Sequence, residues 1–240
     1  LLFFTLFTFS LKVPAYDFEN AGIYYTVSSR QKYTVAVTSS PQQRSAYQGE
    51  IVVPPSVVYE GKTFRVTEIS KRAFQGCAQL VSLTVPASVV EIGDSAFFAC
   101  TGLKYLVLED GEKPLRVGSN SYHGVSAGQA IFHDCPLETL YLGRDLHYLE
   151  SVGEIYNPFF QKGTLRTVTI GESAREIGSH AFQGCHSLVS FTVGSGVDRI
   201  GDRAFSGCIS LRELFFKDGE GTLFLGVNRH STSSKGEALF

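Results

Sequence analysis

The chain has 240 residues, a net charge of −2 and 43% hydrophobic residues, a composition that predicts a real hydrophobic core. Its basic and acidic residues are interspersed, and the absence of a basic stripe excludes nucleic acid as a partner. No Met occurs, even at residue 1, so we expect a fragment or a chain without its natural start.

The N-terminal residues are strongly apolar. Leu1–Leu11 is interrupted only by Thr and Ser, and at about 11 residues it is too short to cross a bilayer as a helix. It resembles the hydrophobic region of a secretory signal peptide, with Ala15 as the small residue before the cut. A buried strand is the alternative. We predict that residues 1–15 are part of a signal peptide, that the protein is secreted or on a bacterial cell surface, and that this segment has no transmembrane span.

Residues 16–66 predict strands. Ile23–Val27 and Tyr33–Val37 alternate and are rich in β-branched and aromatic residues, which favours a hairpin. Val57–Tyr59 and Thr63–Arg65 flank a second turn. We predict a β-rich N-terminal cap that covers the apolar end of the segment that follows.

Residues 67–240 are repetitive. The frame of Ala, Phe, Cys and Leu around Phe74 returns after 23 residues (97 − 74, 100 − 77), and again around Phe182 and Phe205. A longer period of 108 residues relates 69–132 to 177–240 (182 − 74, 240 − 132). Between them, the pattern predicts an imperfect coil at Phe160. Fixed periods predict a solenoid, in which each coil needs neighbours to bury its apolar side. Since the pattern stops at Phe240, we expect further repeats beyond it. The predicted core positions are Phe74, Cys77, Phe97, Cys100, Phe132, Cys135, Phe182, Cys185, Phe205 and Cys208.

Each coil divides into two parts. Ser82–Val85 alternates like a half-buried strand, whereas Asp94–Cys100 has a capping Asp and then Ala, Phe and Cys spaced for one face of a short helical or 3₁₀ turn. About seven such strands, counting Ile51–Val53, would form a parallel sheet roughly 30 Å long.

The motif I-G-x-x-A-F-x-x-C-x-x-L-x-x-L resembles the BspA-like class of bacterial leucine-rich repeats. It begins at Ile92, Ile177 and Ile200. The resemblance implies an α/β solenoid of the leucine-rich-repeat type, without catalytic residues. It also implies a secreted or surface-displayed protein that adheres to host proteins, other cells or extracellular matrix.

The outward strand positions are mostly Ser and Thr, with aromatic residues at Tyr105, Tyr141 and Phe215. Stacked Thr residues stabilise a sheet by themselves, but exposed aromatic residues also anchor a protein or a sugar ring. We therefore hypothesise that these three residues form part of a surface that binds a protein or glycan. A structural spacer that presents another, missing domain is the alternative function.

No pattern predicts an enzyme, a cofactor or a metal site. The sequence has no nucleophile elbow or phosphate loop, and its cysteines lack the C-x-x-C spacing of zinc sites. Their shared repeat position indicates a small apolar core residue, with Cys77–Cys100 and Cys185–Cys208 disulfides as an open alternative. The inserts at 109–130 and 217–238 are either binding loops or tolerated surface insertions.

Overall fold

The computed structural model describes residues 16–40, 46–118, 131–147, 158–219 and 221–226. The predicted signal peptide, the pattern's end at Phe240 and most of both inserts beyond their first strand lie outside these residues. The described residues form eighteen β-strands. They are β1 Phe18–Asn20, β2 Ile23–Ser29, β3 Thr34–Thr38, β4 Gly49–Val52, β5 Ser56–Tyr59, β6 Lys62–Ile69, β7 Leu80–Val85, β8 Glu91–Ile92, β9 Tyr105–Leu108, β10 Leu115–Val117, β11 Thr139–Leu142, β12 Leu146–His147, β13 Thr167–Ile170, β14 Glu176–Ile177, β15 Ser190–Val193, β16 Arg199–Ile200, β17 Glu213–Phe216 and β18 Phe224–Leu225.

One seven-stranded sheet, called the long sheet below, contains one strand from each coil in the order β17-β15-β13-β11-β9-β7-β4. All its strands are parallel, and equivalent repeat positions pair, as Leu83 does with Leu106. The predicted solenoid of about seven parallel strands is thus confirmed. The strands pair in this register because their side chains alternate between the inward and the outward side. A shift by one residue would turn the apolar side chains of a strand away from the core.

A second row of strands lies after the bend that follows each long-sheet strand. β6, β8, β10 and β12 form one parallel run, and β14, β16 and β18 form another. The two predicted N-terminal hairpins are confirmed as β2–β3 and β5–β6. A separate N-terminal cap is not supported, because β3 pairs in parallel with β6 and so continues this second sheet.

The predicted helical or 3₁₀ backs are wrong. In the described coils the backs are successive turns, in which Cys77 N donates to Phe74 O three residues earlier but Phe74 N donates to Ala96 O in the next coil. A 3₁₀ helix needs every amide to bond within its own segment. Residues such as Arg72, with a φ of 60°, and His180, with a φ of 58°, also interrupt any right-handed helix. The alternating turns release half of the amides to link neighbouring coils.

A column of phenylalanine rings fills the core along the solenoid. Successive rings are 5.2 to 6.3 Å apart between centroids and nearly parallel. The column contains Phe74, Phe97, Phe132, Phe159, Phe182 and Phe205, each at most 1% exposed. Phe159, and not Phe160, occupies the ring position in the coil that contains β13. All the predicted core cysteines are buried beside this column.

Candidate binding surface

The outward-pointing residues of β7 to β17 form a continuous surface, called the outer face below. On each strand the inward residues are buried from β7 to β15, and the residues between them are partly or fully exposed. The outer face consists of two rows that cross the strands. One row is Ser82, Tyr105, Thr139, Thr167, Ser190 and Glu213, and the other is Thr84, Val107, Tyr141, Thr169, Thr192 and Phe215.

The structure brings together two of the three predicted aromatic residues. Tyr105 on β9 pairs with Thr139 on β11, and Tyr141 lies two residues further along that strand, so the two tyrosines are diagonal neighbours. Phe215 lies on β17, three strands from β11 and therefore roughly 14 Å away. Tyr105 is 44% exposed and Phe215 is 54% exposed. The tyrosine pair and Phe215 thus form two separate parts of the outer face.

The side chain of Tyr141 is held in place by Asp110, which lies two residues after the end of β9. Its hydroxyl donates to Asp110 Oδ2, and Asp110 Oδ1 accepts from the backbone N of Ser173 at 3.0 Å. Burial, followed by the hydrogen bond to Asp110, raises the pKa of Tyr141 to about 12. Tyr141 therefore remains a neutral hydrogen-bond donor at neutral pH, with a fixed ring orientation.

A cavity of about 240 Å³ lies beside the outer face, where the strands end. It is lined by Gly111, Glu112, Pro114, Asp145, Glu172, Ser173 and Arg175. Two of its carboxylates already have partners in the protein. Asp145 Oδ1 accepts from the backbone N of Arg175 at 2.7 Å, and Glu172 accepts from Lys217 Nζ at 2.6 Å. Lys217 and then Ser195 lower the pKa of Glu172 to about 2. The first contact joins neighbouring coils, and the second spans two coils, from β13 to β17.

Arg144 is a buried cation that sequence reasoning did not single out. It is 1% exposed, and its guanidinium donates to the carbonyl oxygens of Ala87 at 2.9 Å and Pro86 at 3.0 Å. Its side chain lies under the first insert, because a Cβ on Gly111 would be 3.3 Å from Arg144 Cδ. Burial lowers the pKa of Arg144. The arginine connects the bends of three coils at the edge of the cavity.

The five cysteines are free thiols in the structure, so the alternative disulfides are not formed. Each thiol for which a bond is resolved donates to the phenylalanine carbonyl of the preceding coil, as Cys100 Sγ does to Phe74 O at 2.9 Å and Cys208 Sγ to Phe182 O at 3.1 Å. Burial raises the pKa of Cys185 to about 12. The five cysteines are therefore buried core residues, and those with a resolved bond also satisfy a backbone acceptor.

Lys162 occupies the cysteine position in the coil of Phe159. The spacing is the same as in the other coils (162 − 159, 77 − 74), and Lys162 Nζ donates to Phe132 O as the thiols do to their own partners. Burial lowers the pKa of Lys162. Among the described residues no carboxylate is bonded to Lys162, and the charge of Asp134 only partly offsets the effect of burial on its half-buried ammonium group.

We expect Lys162→Met to stabilise the protein at neutral pH by about 1 kcal/mol, because it removes a half-buried charge that is largely withdrawn from water. The pKa of Lys162 is lowered in the folded state, so its charge destabilises the folded protein fully below that pKa. This destabilisation disappears as the pH rises towards the ordinary pKa of a lysine. Urea unfolding of parent and variant at neutral pH and at about pH 10 measures this difference, which should shrink at the higher pH. The exposed Lys113→Met is the control. A parent chain as stable as Lys162→Met at neutral pH would contradict this expectation.

In the described part of the chain, no group of three or more His, Cys, Asp or Glu residues is placed to hold a metal ion. Among those residues there is also no helix long and apolar enough to span a membrane.

Stacked coils, one parallel strand per coil and a recurring leucine frame define a protein of the leucine-rich-repeat class. The family model for the BspA type leucine rich repeat region matches residues 67–152 and 153–224 with six copies. This match covers more than half of the chain, and the chain belongs to that family. Leucine-rich-repeat proteins typically act as scaffolds for interactions with other proteins.

Solved structures of bacterial leucine-rich-repeat proteins are similar to this chain. A leucine-rich-repeat protein of T. pallidum is 26% identical over 87% of this chain and 86% of its own, with a TM-score of 0.55. A leucine-rich-repeat protein of Bacteroides ovatus is 22% identical over 83% of this chain and 53% of its own, with a TM-score of 0.48. A leucine-rich cell surface protein of Faecalibacterium prausnitzii is 23% identical over 85% of this chain and 55% of its own, with a TM-score of 0.49. No curated protein matches the sequence.

Proposed function

We propose that this chain is a secreted or cell-surface adhesion module that binds a host protein, a matrix component or a glycan through the outer face. The observation that carries the proposal is Tyr105, a large aromatic side chain that is 44% exposed on an inner strand of the long sheet. The apolar run at residues 1–15, interpreted as part of a signal peptide, supports secretion.

The surroundings of Tyr105 suit recognition. Aromatic residues are enriched at the energetic centres of binding surfaces, because a rigid ring buries much area at low entropic cost. Tyr141 adds a second ring whose orientation is already fixed by Asp110. A ligand that binds across β9 and β11 would meet both rings without rearranging the backbone, which favours a preorganised site.

The test starts with a screen of the folded chain against matrix proteins and glycans. Alanine at Tyr105, Tyr141 and Phe215 together should weaken binding of the partner by about tenfold or more, because hot-spot aromatics typically contribute that much. Ile209→Ala is the matched control, since Ile209 is 83% exposed but lies outside the outer face. Unchanged binding of the folded triple variant would show that the proposal is wrong.

A structural spacer that holds a further domain away from the cell is the second candidate. The continuous phenylalanine column, with successive rings 5.2 to 6.3 Å apart, favours it, because it joins neighbouring coils into one core without any need for a ligand. Rows of Thr would then serve sheet stability alone. A screen in which no protein or glycan binds the folded chain would favour the spacer over the adhesion module.

A further inference from the structure

The central part of the outer face carries no charge. The ten residues that β7, β9, β11, β13 and β15 contribute to the two rows are seven Ser or Thr, two Tyr and one Val. Charged residues amount to 18% of the chain, yet here they lie only before the strands, as Lys104 and Glu138 do, or after them, as Glu109 and Glu172 do. Lys104 and Glu138 also neutralise each other through a 2.9 Å salt bridge.

The hydroxyl groups form a regular array. Thr139, Thr167 and Ser190 are register partners on successive strands, so they follow one another at about 4.8 Å. Thr169 and Thr192 are paired in the same way in the second row, which lies two residues further along the strands, roughly 6.6 Å away. The array therefore repeats across the strands in the direction of the solenoid axis.

We propose that the ligand of the outer face is an uncharged polysaccharide chain that lies across the strands. This inference rests on the proposed function and names the chemical class of its ligand. Each Ser or Thr hydroxyl both donates and accepts hydrogen bonds, and a polysaccharide presents hydroxyl groups of the same kind at regular intervals. The lack of charge on the central face gives an acidic glycan no cation to pair with.

A protein partner fits this surface less well. The cores of protein–protein interfaces are enriched in aromatic residues, Met and Arg, and they are depleted in Ser. A protein that covered seven hydroxyl groups with apolar side chains would leave them without hydrogen bonds, which opposes binding. A sugar chain can satisfy them along its whole length.

Tyr105 and Tyr141 complete the site. The exposed ring of Tyr105 offers an apolar face on which the C–H face of a sugar ring can pack. Tyr105 pairs with Thr139, so a sugar seated on the ring lies at the start of the hydroxyl row. Tyr141, bonded to Asp110, is a second ring next to it, over the neighbouring strand.

The experiment titrates the 240-residue chain with a soluble neutral mannan, a soluble neutral glucan and, for comparison, the acidic polysaccharide hyaluronate, at low and high salt. We expect a neutral polysaccharide to bind with an affinity that salt does not change, because no ion pair is involved. Tyr105→Ala should weaken this binding by about tenfold or more, whereas Tyr105→Phe should retain it.

A second pair of variants tests the hydroxyl rows. Thr167→Val together with Thr169→Val keeps the β-branched shape and therefore the sheet, but removes two hydroxyl groups. We expect weaker binding with an unchanged melting temperature, whereas a role in sheet stability alone predicts unchanged binding. Ile209→Ala is again the control, and it should leave the affinity for the neutral polysaccharide unchanged.

Three results would overturn the inference. Binding of hyaluronate alone, with a strong salt dependence, would show that charge outside the outer face decides recognition. If a protein bound in a manner that depends on Tyr105 and no polysaccharide bound, the proposed ligand class would be wrong and the proposed function would stand. Failure of both ligand classes to bind would remove the proposed function as well.

Discussion

Replacement of Phe182 by Asp is expected to unfold the coils around it. Phe182 is 1% exposed and stacks between Phe159 at 5.8 Å and Phe205 at 6.3 Å, with Phe191 against its edge at 5.0 Å. Removal of a buried ring of this size costs about 3–5 kcal/mol. A carboxylate placed there without a partner adds to that cost, and whole domains are stable by only about 5–15 kcal/mol.

Thermal and urea unfolding measure this effect, and hydrogen exchange locates it. Because coils contact mainly their neighbours, amide protection should be lost first in the coils of Phe159 and Phe205, which flank residue 182. Ile209→Asp is the matched control, since Ile209 is 83% exposed and its replacement should change stability by no more than about 0.5 kcal/mol. Unchanged melting of Phe182→Asp would contradict a stacked core.

Gly194→Ala is expected to destabilise the protein by about 2 kcal/mol or more, because coils approach too closely at the strand ends for a side chain. A Cβ on Gly194 would lie 2.1 Å from Gly171 O and 2.7 Å from Ile170 O, and both atoms belong to the backbone of the preceding coil. Gly143 is equally close, with a Cβ position 2.3 Å from Asp110 N. A backbone neighbour cannot turn away as a flexible side chain can.

Gly163→Ala provides the comparison for this prediction. A Cβ at Gly163 would have no neighbour within 4 Å, so that substitution should be neutral or slightly stabilising. Urea midpoints of the two variants, measured side by side, should therefore differ clearly. Equal midpoints would mean that the coils are further apart at Gly194 than the structure places them.

The core could be predicted from the sequence because the same apolar residues recur at fixed spacing. Phe74, Phe97, Phe182 and Phe205 are related by whole periods, and stacked coils are the arrangement that buries all of them. The pattern predicts Phe160 as the core ring of the coil of Phe159, because two phenylalanines are adjacent. The spacing of six residues to Leu165, equal to that from Phe74 to Leu80, was the signal that separates them.

The coil backs could not be predicted, because the spacing of Ala, Phe and Cys suits both a helical turn and a chain of alternating turns. The difference lies in residues such as Arg72 and Ser95, which have positive φ values of 60° and 53° although their side chains do not favour them. Hydrogen bonds between coils hold them there, and such contacts are not visible in one coil's sequence.

The candidate site was predictable in part. Alternation along the strands correctly placed Tyr105, Tyr141 and Phe215 on the outward side. The hydrogen bond from Tyr141 to Asp110 could not be predicted, because it depends on the path of the chain after β9 and not on alternation within a strand. The role of Lys162 is not predictable from the pattern, because a lysine does not match the apolar residues whose repeat position it occupies.

Hydroxyl-radical footprinting of the chain with and without its partner tests the central claim, which is that the outer face binds. The account predicts that oxidation of Tyr105 and Tyr141 falls when the partner saturates the protein, while the exposed Ile209 and Val58 are oxidised as before. Protection of Ile209 or Val58, with Tyr105 oxidised at the same rate as in the free chain, would place the binding surface elsewhere and contradict the account.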